Sequence, residues 1–181
     1  MSELKARAQE VKHRYAHQHD RPLGSFIALI GAYSAVAGAG ALAVQRTRQP
    51  LPERLEPADL ALLAVATHKI ARLLAKDPVT SPLRAPFTRF EGTSGEAELA
   101  ESVPGTGLRK ALGELATCPF CLGHWVATGL AYGFILLPRA TRWTCSVFTA
   151  LTAADFLQLA YAAAQQAEQN VGQHEPTRTS G

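Results

Sequence analysis

Cysteine is scarce in this chain, with three in 181 residues, and only Cys118 and Cys121 lie close together. That excludes a disulfide framework. A second Cys-x-x-Cys is missing, so cysteine alone does not supply the four ligands of a structural zinc site. No basic patch interleaved with aromatics is present, and no nucleic-acid-binding motif, so nucleic acid is not an expected partner. The net charge of +3 is mild, and no internal repeat appears. The length suits one domain of ordinary size.

Charge is also missing from long stretches, and there the chain becomes informative. The mean hydropathy of −0.01 is that of an ordinary soluble protein, yet the apolar residues are gathered into blocks. Residues 25–44 carry no charge, and about 20 helical residues cover roughly 30 Å, the thickness of a bilayer core. A cleaved leader ending at Ala41-Leu42-Ala43 is disfavoured, because the 24 residues before the block are too many and too polar. A buried helix of a soluble bundle is the other alternative. Gly31, Ala35, Ala39 and Ala43 recur every fourth residue in this block, a strip that suits close approach by another helix of the same or a different chain.

A second block, 58–75, begins after Pro57 and stops before Asp77-Pro78. It holds His68, Lys69 and Arg72, which are costly inside a bilayer unless partnered. A third block, 119–137, opens with a proline at the first helical turn. A fourth, 143–164, contains Asp155. The spacing therefore predicts an all-α polytopic membrane protein with about four transmembrane helices and the lipid bilayer as its solvent. A long connection, 76–118, joins the second and third spans. Eleven of the lysines and arginines between spans fall on the side of the termini and that connection, and five, including Arg48, on the other. This bias predicts cytoplasmic termini and a cytoplasmic connection. Trp125 and Trp143 suit opposite interfaces.

The polar segments differ in kind. Residues 1–24 form a basic tail in which Leu4, Ala8, Val11 and Tyr15 fall on one helical face, suiting a helix on the membrane surface or a solvated one. Pro78, Pro82 and Pro86 predict an extended stretch. Residues 91–104 read as an acidic flexible loop. Leu108, Ala111, Leu112 and Leu115 mark one face of a short amphipathic helix. Residues 165–181 read as a disordered tail.

Thr117-Cys118-Pro119-Phe120-Cys121-Leu122-Gly123-His124-Trp125 concentrates most of the chemistry. If Pro119 opens the helix, Cys118 is its N-cap and Cys121 its third residue, with both thiols on one face. A helix N-terminus favours thiolate, so the pair is a candidate for structural capping, thiol–disulfide redox or, with His124, metal binding. The metal reading is the weakest, because three ligands from one helix leave a site incomplete. Cys145 stands alone and suits packing. Asp155 falls at the depth of His68 and Arg72, predicting an intramembrane cluster in which Asp155 pairs with one of them, with Lys69, turned by about 100° from His68, the less favoured partner.

Residues 66–77 (Ala-Thr-His-Lys-Ile-Ala-Arg-Leu-Leu-Ala-Lys-Asp), the run from Val79 to Thr88, Glu91-Gly92, Gly113-Glu114-Leu115, Cys118 to Gly123 and Trp125 together resemble a bacterial membrane-protein family known as domain of unknown function 1360. The resemblance covers Pro57 to Tyr161. It implies a small integral membrane protein of the bacterial inner membrane, with some relatives linked to sporulation, and no established activity, substrate or cofactor. The His124 position is outside the family's core motif. The expected function is accordingly a non-enzymatic membrane component serving envelope or spore biology, without a cofactor. The alternatives are a membrane thiol oxidoreductase using Cys118 and Cys121, and a small transporter or proton pathway centred on Asp155.

Overall fold

The computed structural model describes residues 2–16, 21–47 and 54–173. Arg48, Arg178 and the expected tail beyond residue 173 lie outside the described residues. The chain is mostly helical. In order it forms α1 (Ser2–Ala16), α2 (Leu23–Thr47), α3 (Pro57–Lys76), a 3-10 turn (Pro78–Thr80), α4 (Ser81–Arg84), strands β1 (Arg89–Gly95) and β2 (Glu98–Ser102), α5 (Gly107–Thr117), α6 (Pro119–Leu136) and α7 (Pro138–Gln173).

By length and composition α2, α6 and α7 are able to cross a membrane. That is three helices rather than four. The twenty residues of α3 are long enough, but Asp59, His68, Lys69, Arg72 and Lys76 make it too polar. Pro57, Pro119 and Pro138 each open a helix, where the missing N–H costs nothing and φ is already set.

Helix α3 is the hub. It packs against α6 and α7, while α2 lies on α6 and α5. The core contains Ala66, Phe134 and Cys145, with Leu62, Leu63, Ile70, Leu130 and Phe148 around it; Cys145 is fully buried, a packing residue. Small residues on α3 bring the helices close: Ala66, Ala71 and Ala75 are all buried. Tyr132 donates to the Ala37 carbonyl at 2.7 Å. A Cβ on Gly40 would stand 2.4 Å from the Tyr132 ring, so only glycine fits there. The outward faces are apolar, with Ile27, Ile30, Val36, Leu42, Leu151 and Leu157 exposed. That inversion of the usual pattern suits a lipid surround.

The connection after α3 departs from the sequence expectation in two places. Pro78–Pro86 is not extended, since Pro78 and Pro82 sit in the first turns of the 3-10 helix and α4. The acidic segment is not a flexible loop but an antiparallel hairpin, Arg89 opposite Ser102 and Gly95 opposite Glu98. Its two-residue turn includes Ala97 at φ 56°. Both departures have one cause. Arg84, 1% exposed, donates from Nε to Glu101 Oε2 at 2.5 Å. It also donates to the Leu74 carbonyl (2.8 Å), Thr80 Oγ1 (2.7 Å) and the Asp77 carbonyl (3.1 Å). Thr88 donates to Glu101 Oε1 at 2.9 Å. One guanidinium thus ties the end of α3, the proline turns and β2 together.

Helix α5 forms as expected, burying Ala111 and Gly113, although Leu108 is exposed. A Cβ on Gly113 would be 2.4 Å from Val103, which explains how closely α5 meets the chain after the hairpin. Helix α7 continues to Gln173, so residues 165–173 are helical rather than a disordered tail. Gln, Ala and Glu fill residues 165–169 and are good helix formers, and the one poor former, Gly172, falls in the last turn. Helix α1 forms in the N-terminal tail with Val11 and Tyr15 exposed.

Replacing Arg84 with leucine should destabilise the protein by about 3–5 kcal/mol, because Glu101 becomes a buried unpaired carboxylate. Thermal unfolding of the detergent-solubilised protein measures this. The double replacement Arg84→Leu/Glu101→Leu should recover part of the loss; an unchanged midpoint in Arg84→Leu would refute the tie.

Candidate functional site

Two places gather chemistry-bearing side chains: the start of α6, and a cavity beside α3. At the first, Cys118 has the extended backbone of an N-cap (φ −102°, ψ 103°), and its Sγ accepts from the Cys121 N–H at 3.2 Å. The thiol therefore does what a serine or aspartate commonly does at this position. Cys118 and Cys121 are both free thiols, the second exposed. His124 Nδ1 lies 2.9 Å from the Phe120 carbonyl, an in-helix contact. No group of three His, Cys, Asp or Glu side chains among the described residues is arranged to hold a metal ion, so Cys118, Cys121 and His124 are neighbours in sequence without forming a ligand set.

The second place is a cavity of about 350 Å³ between α3, α7 and the hairpin turn. His68, Arg72 and Asp155 all line it, so the three expected members of the polar cluster do share one space. Their pairing differs from expectation. Asp155 Oδ2 accepts from Lys69 Nζ at 2.5 Å, while Arg72 turns to Glu98 on β2. The helical period separates Lys69 from His68 and Arg72, as the sequence reading held, but it does not say which side of α3 meets α7. Packing decides that, and it gives α7 the Lys69 side. The hairpin supplies the partner Arg72 needs, an acid that no local pattern links to it.

A second pair was not anticipated. Arg142 donates from Nε and Nη2 to the two Asp59 oxygens at 2.9 and 2.6 Å, a bidentate contact at the opposite end of α3. Asp59, with Pro57 ahead of it, lies in the first turn of α3, where an acid is favoured by the helix dipole. That placement was a usable signal. Asp59–Arg142 and Lys69–Asp155 make α3 and α7 run parallel. Tyr33 bonds Thr128 (2.7 Å) and packs T-shaped on Trp125 (ring centroids 5.3 Å apart), and four residues on Ala37 accepts from Tyr132, so α2 and α6 run parallel likewise. The α2 face in use is Tyr33, Ala37, Gly40 and Val44. Gly31, Ala35 and Ala39 lie on the far side, exposed, with Ala43 half-buried.

Fold and site define a small helical-bundle protein, apolar outside and charge-paired around one polar helix, with three helices fit for a bilayer. The chain belongs to the family described as Protein of unknown function (DUF1360), whose profile matches residues 62–161. This agrees with the resemblance read from the motifs and leaves α1 and α2 outside the match. The chain is 34% identical over 87 residues to "Sporulation protein YjcA" of Bacillus subtilis (strain 168), covering 46% of this chain and 74% of that protein. It is 28% identical over 90 residues to "UPF0713 protein YngL" of the same organism, covering 48% of this chain and 65% of that protein, just under two thirds. No solved structure matches.

Two substitution series test these roles. Cys118→Ala should cost about 1 kcal/mol of stability through the lost cap, and Cys118→Ser should restore it; equal losses in both would argue against capping. Asp155→Ala should lower the unfolding midpoint more than Lys69→Ala/Asp155→Ala, because the single change strands a cation. The reverse order would remove the pairing argument.

Proposed function

We propose that this protein is a non-enzymatic integral component of the bacterial cytoplasmic membrane, with α2, α3, α6 and α7 as four spans and both termini in the cytoplasm. The observation that carries it is the state of α3. Its polar side chains are unsuited to lipid, yet the helix lies between two apolar helices with Asp59, Lys69 and Arg72 each paired. Pairing is what makes such a helix tolerable at membrane depth. Alternating chain direction also supports an even number of crossings, since α2 and α6 run one way and α3 and α7 the other. Cys118 is engaged as a cap, which favours a structural role over thiol chemistry. The exposed Gly31, Ala35 and Ala39 strip is left open for a helix of another copy or another protein. The name of the relative in Bacillus subtilis supports a role in sporulation.

The cavity favours one second reading, a small transporter or proton pathway, because it gives Asp155 an open space rather than a wall of side chains.

Three measurements test the leading reading. The chain should pellet with membranes and resist carbonate extraction; recovery in the soluble fraction overturns it. A cysteine introduced at Arg54 should react with an impermeant maleimide from outside the cell, and one introduced at Ser94 should not. Expression in a Bacillus subtilis strain lacking the sporulation relative should restore spore yield, and failure with the protein in the membrane would remove that role.

A further inference from the structure

Most charged groups around the cavity already have partners. Lys69 is held by Asp155, Arg72 by Glu98, and Asp77 accepts from the Val79 N–H at 2.8 Å at the start of the 3-10 turn. Three ionisable side chains remain without a partner among the described residues: His68, Lys76 and Glu96. Lys76 is the last residue of α3, and Glu96 sits in the hairpin turn. Both line the cavity, and they do not pair with each other. Leu73, Phe156 and Leu159 give the lining its apolar part, and Phe156 and Leu159 are exposed.

An occupant that matches this lining carries one negative and one positive charge beside an apolar part. A simple anion would face Glu96 uncompensated, and a simple cation would face Lys76. We propose that the cavity binds the headgroup of a zwitterionic phospholipid, its phosphate at Lys76 and its primary ammonium at Glu96. The acyl chains lie along Phe156 and Leu159. The proposal rests on the membrane reading above, under which the end of α3 marks the cytoplasmic interface where headgroups reside. A volume of about 350 Å³ accommodates a headgroup and not a whole lipid, consistent with chains left in the bilayer. A primary ammonium donates hydrogen bonds to a carboxylate, and a quaternary one does not, so the site discriminates ethanolamine from choline.

The test uses the full chain, purified in detergent, delipidated and titrated by native mass spectrometry with phosphatidylethanolamine, phosphatidylcholine or phosphatidylglycerol of matched acyl chains. Phosphatidylethanolamine should bind about three- to fivefold tighter than either competitor, the scale of a partly exposed charge pair. Glu96→Gln should abolish the preference over phosphatidylcholine, and Lys76→Ala should weaken all three. Neither residue makes a bond within the fold, so both variants should unfold at the wild-type midpoint. Glycerophosphoethanolamine, which is soluble, separates the two sources of this chemistry: displacement at millimolar concentration assigns the site to a free phosphoethanolamine compound, and no displacement assigns it to lipid. Equal binding of the three lipids, or a preference that survives Glu96→Gln, overturns the proposal. Carbonate extraction of the cell membranes before solubilisation keeps the failures apart, since a soluble chain overturns the membrane reading and a membrane-bound chain without the preference overturns only the headgroup site.

Discussion

An α-helix leaves its last four carbonyls without intrahelical partners, and α3 ends where the chain must turn sharply. Arg84 resolves this. Its guanidinium takes the Leu74 and Asp77 carbonyls and the Thr80 hydroxyl, and its charge is met by Glu101. Thr80 adds a donation to the Leu73 carbonyl at 2.6 Å. The end of α3, the two proline turns and the second strand of the hairpin are thus a single hydrogen-bonded object. Because α3 is the helix on which α6 and α7 pack, the position of that object relative to the bundle is fixed as well. The hairpin turn then sits beside α3, and the cavity acquires its third wall.

The bundle shows how a polar helix is kept in an apolar assembly. Charge on α3 is answered at each level: by α7 at Asp59 and again at Lys69, and by the hairpin at Arg72. No apolar replacement on α3 alone would preserve this arrangement, since each acid or base it faces would be left behind. Buried ion pairs often contribute little net stability, but they discriminate strongly between correct and incorrect neighbours. Here they select the order in which helices lie around α3. The family match begins at residue 62, within this helix, and ends at 161, past the second of its pairs with α7. The match encloses the Lys69–Asp155, Arg72–Glu98 and Arg84–Glu101 pairs, while Asp59 and all of α2 lie ahead of it.

The parts legible in the sequence are those set by near neighbours. Proline at the first turn located the starts of α3 and α6, and the Cys118 cap followed from Pro119. Charge-free blocks located α2 and α6. Other features depend on residues far apart in the chain. Arg84 and Glu101 are 17 residues apart and Lys69 and Asp155 are 86 apart, so neither pair leaves a periodic trace. The choice between Lys69 and Arg72 turned on the rotation of α3 about its own axis, which only its packing fixes. The hairpin was hidden because glycine, serine and glutamate are poor strand formers; it is the tertiary ties of Glu98 and Glu101 that hold it. The Thr80, Arg84, Thr88 spacing was a readable signal, three polar side chains at four-residue intervals, but proline beside them argued for an extended chain.

The two pairs joining α3 to α7 have a mechanical consequence. They lie about 15 Å apart along α3 and about 20 Å apart along α7 at 1.5 Å per residue. Sliding one helix past the other by a single turn would break both together, so that motion is locked. Below Lys69–Asp155 no further hydrogen bond or ion pair joins the two helices among the described residues, so their lower ends stand like the blades of scissors beyond the rivet. The cavity lies between those blades. Its third side is closed by the hairpin, which the Arg72–Glu98 pair holds to α3.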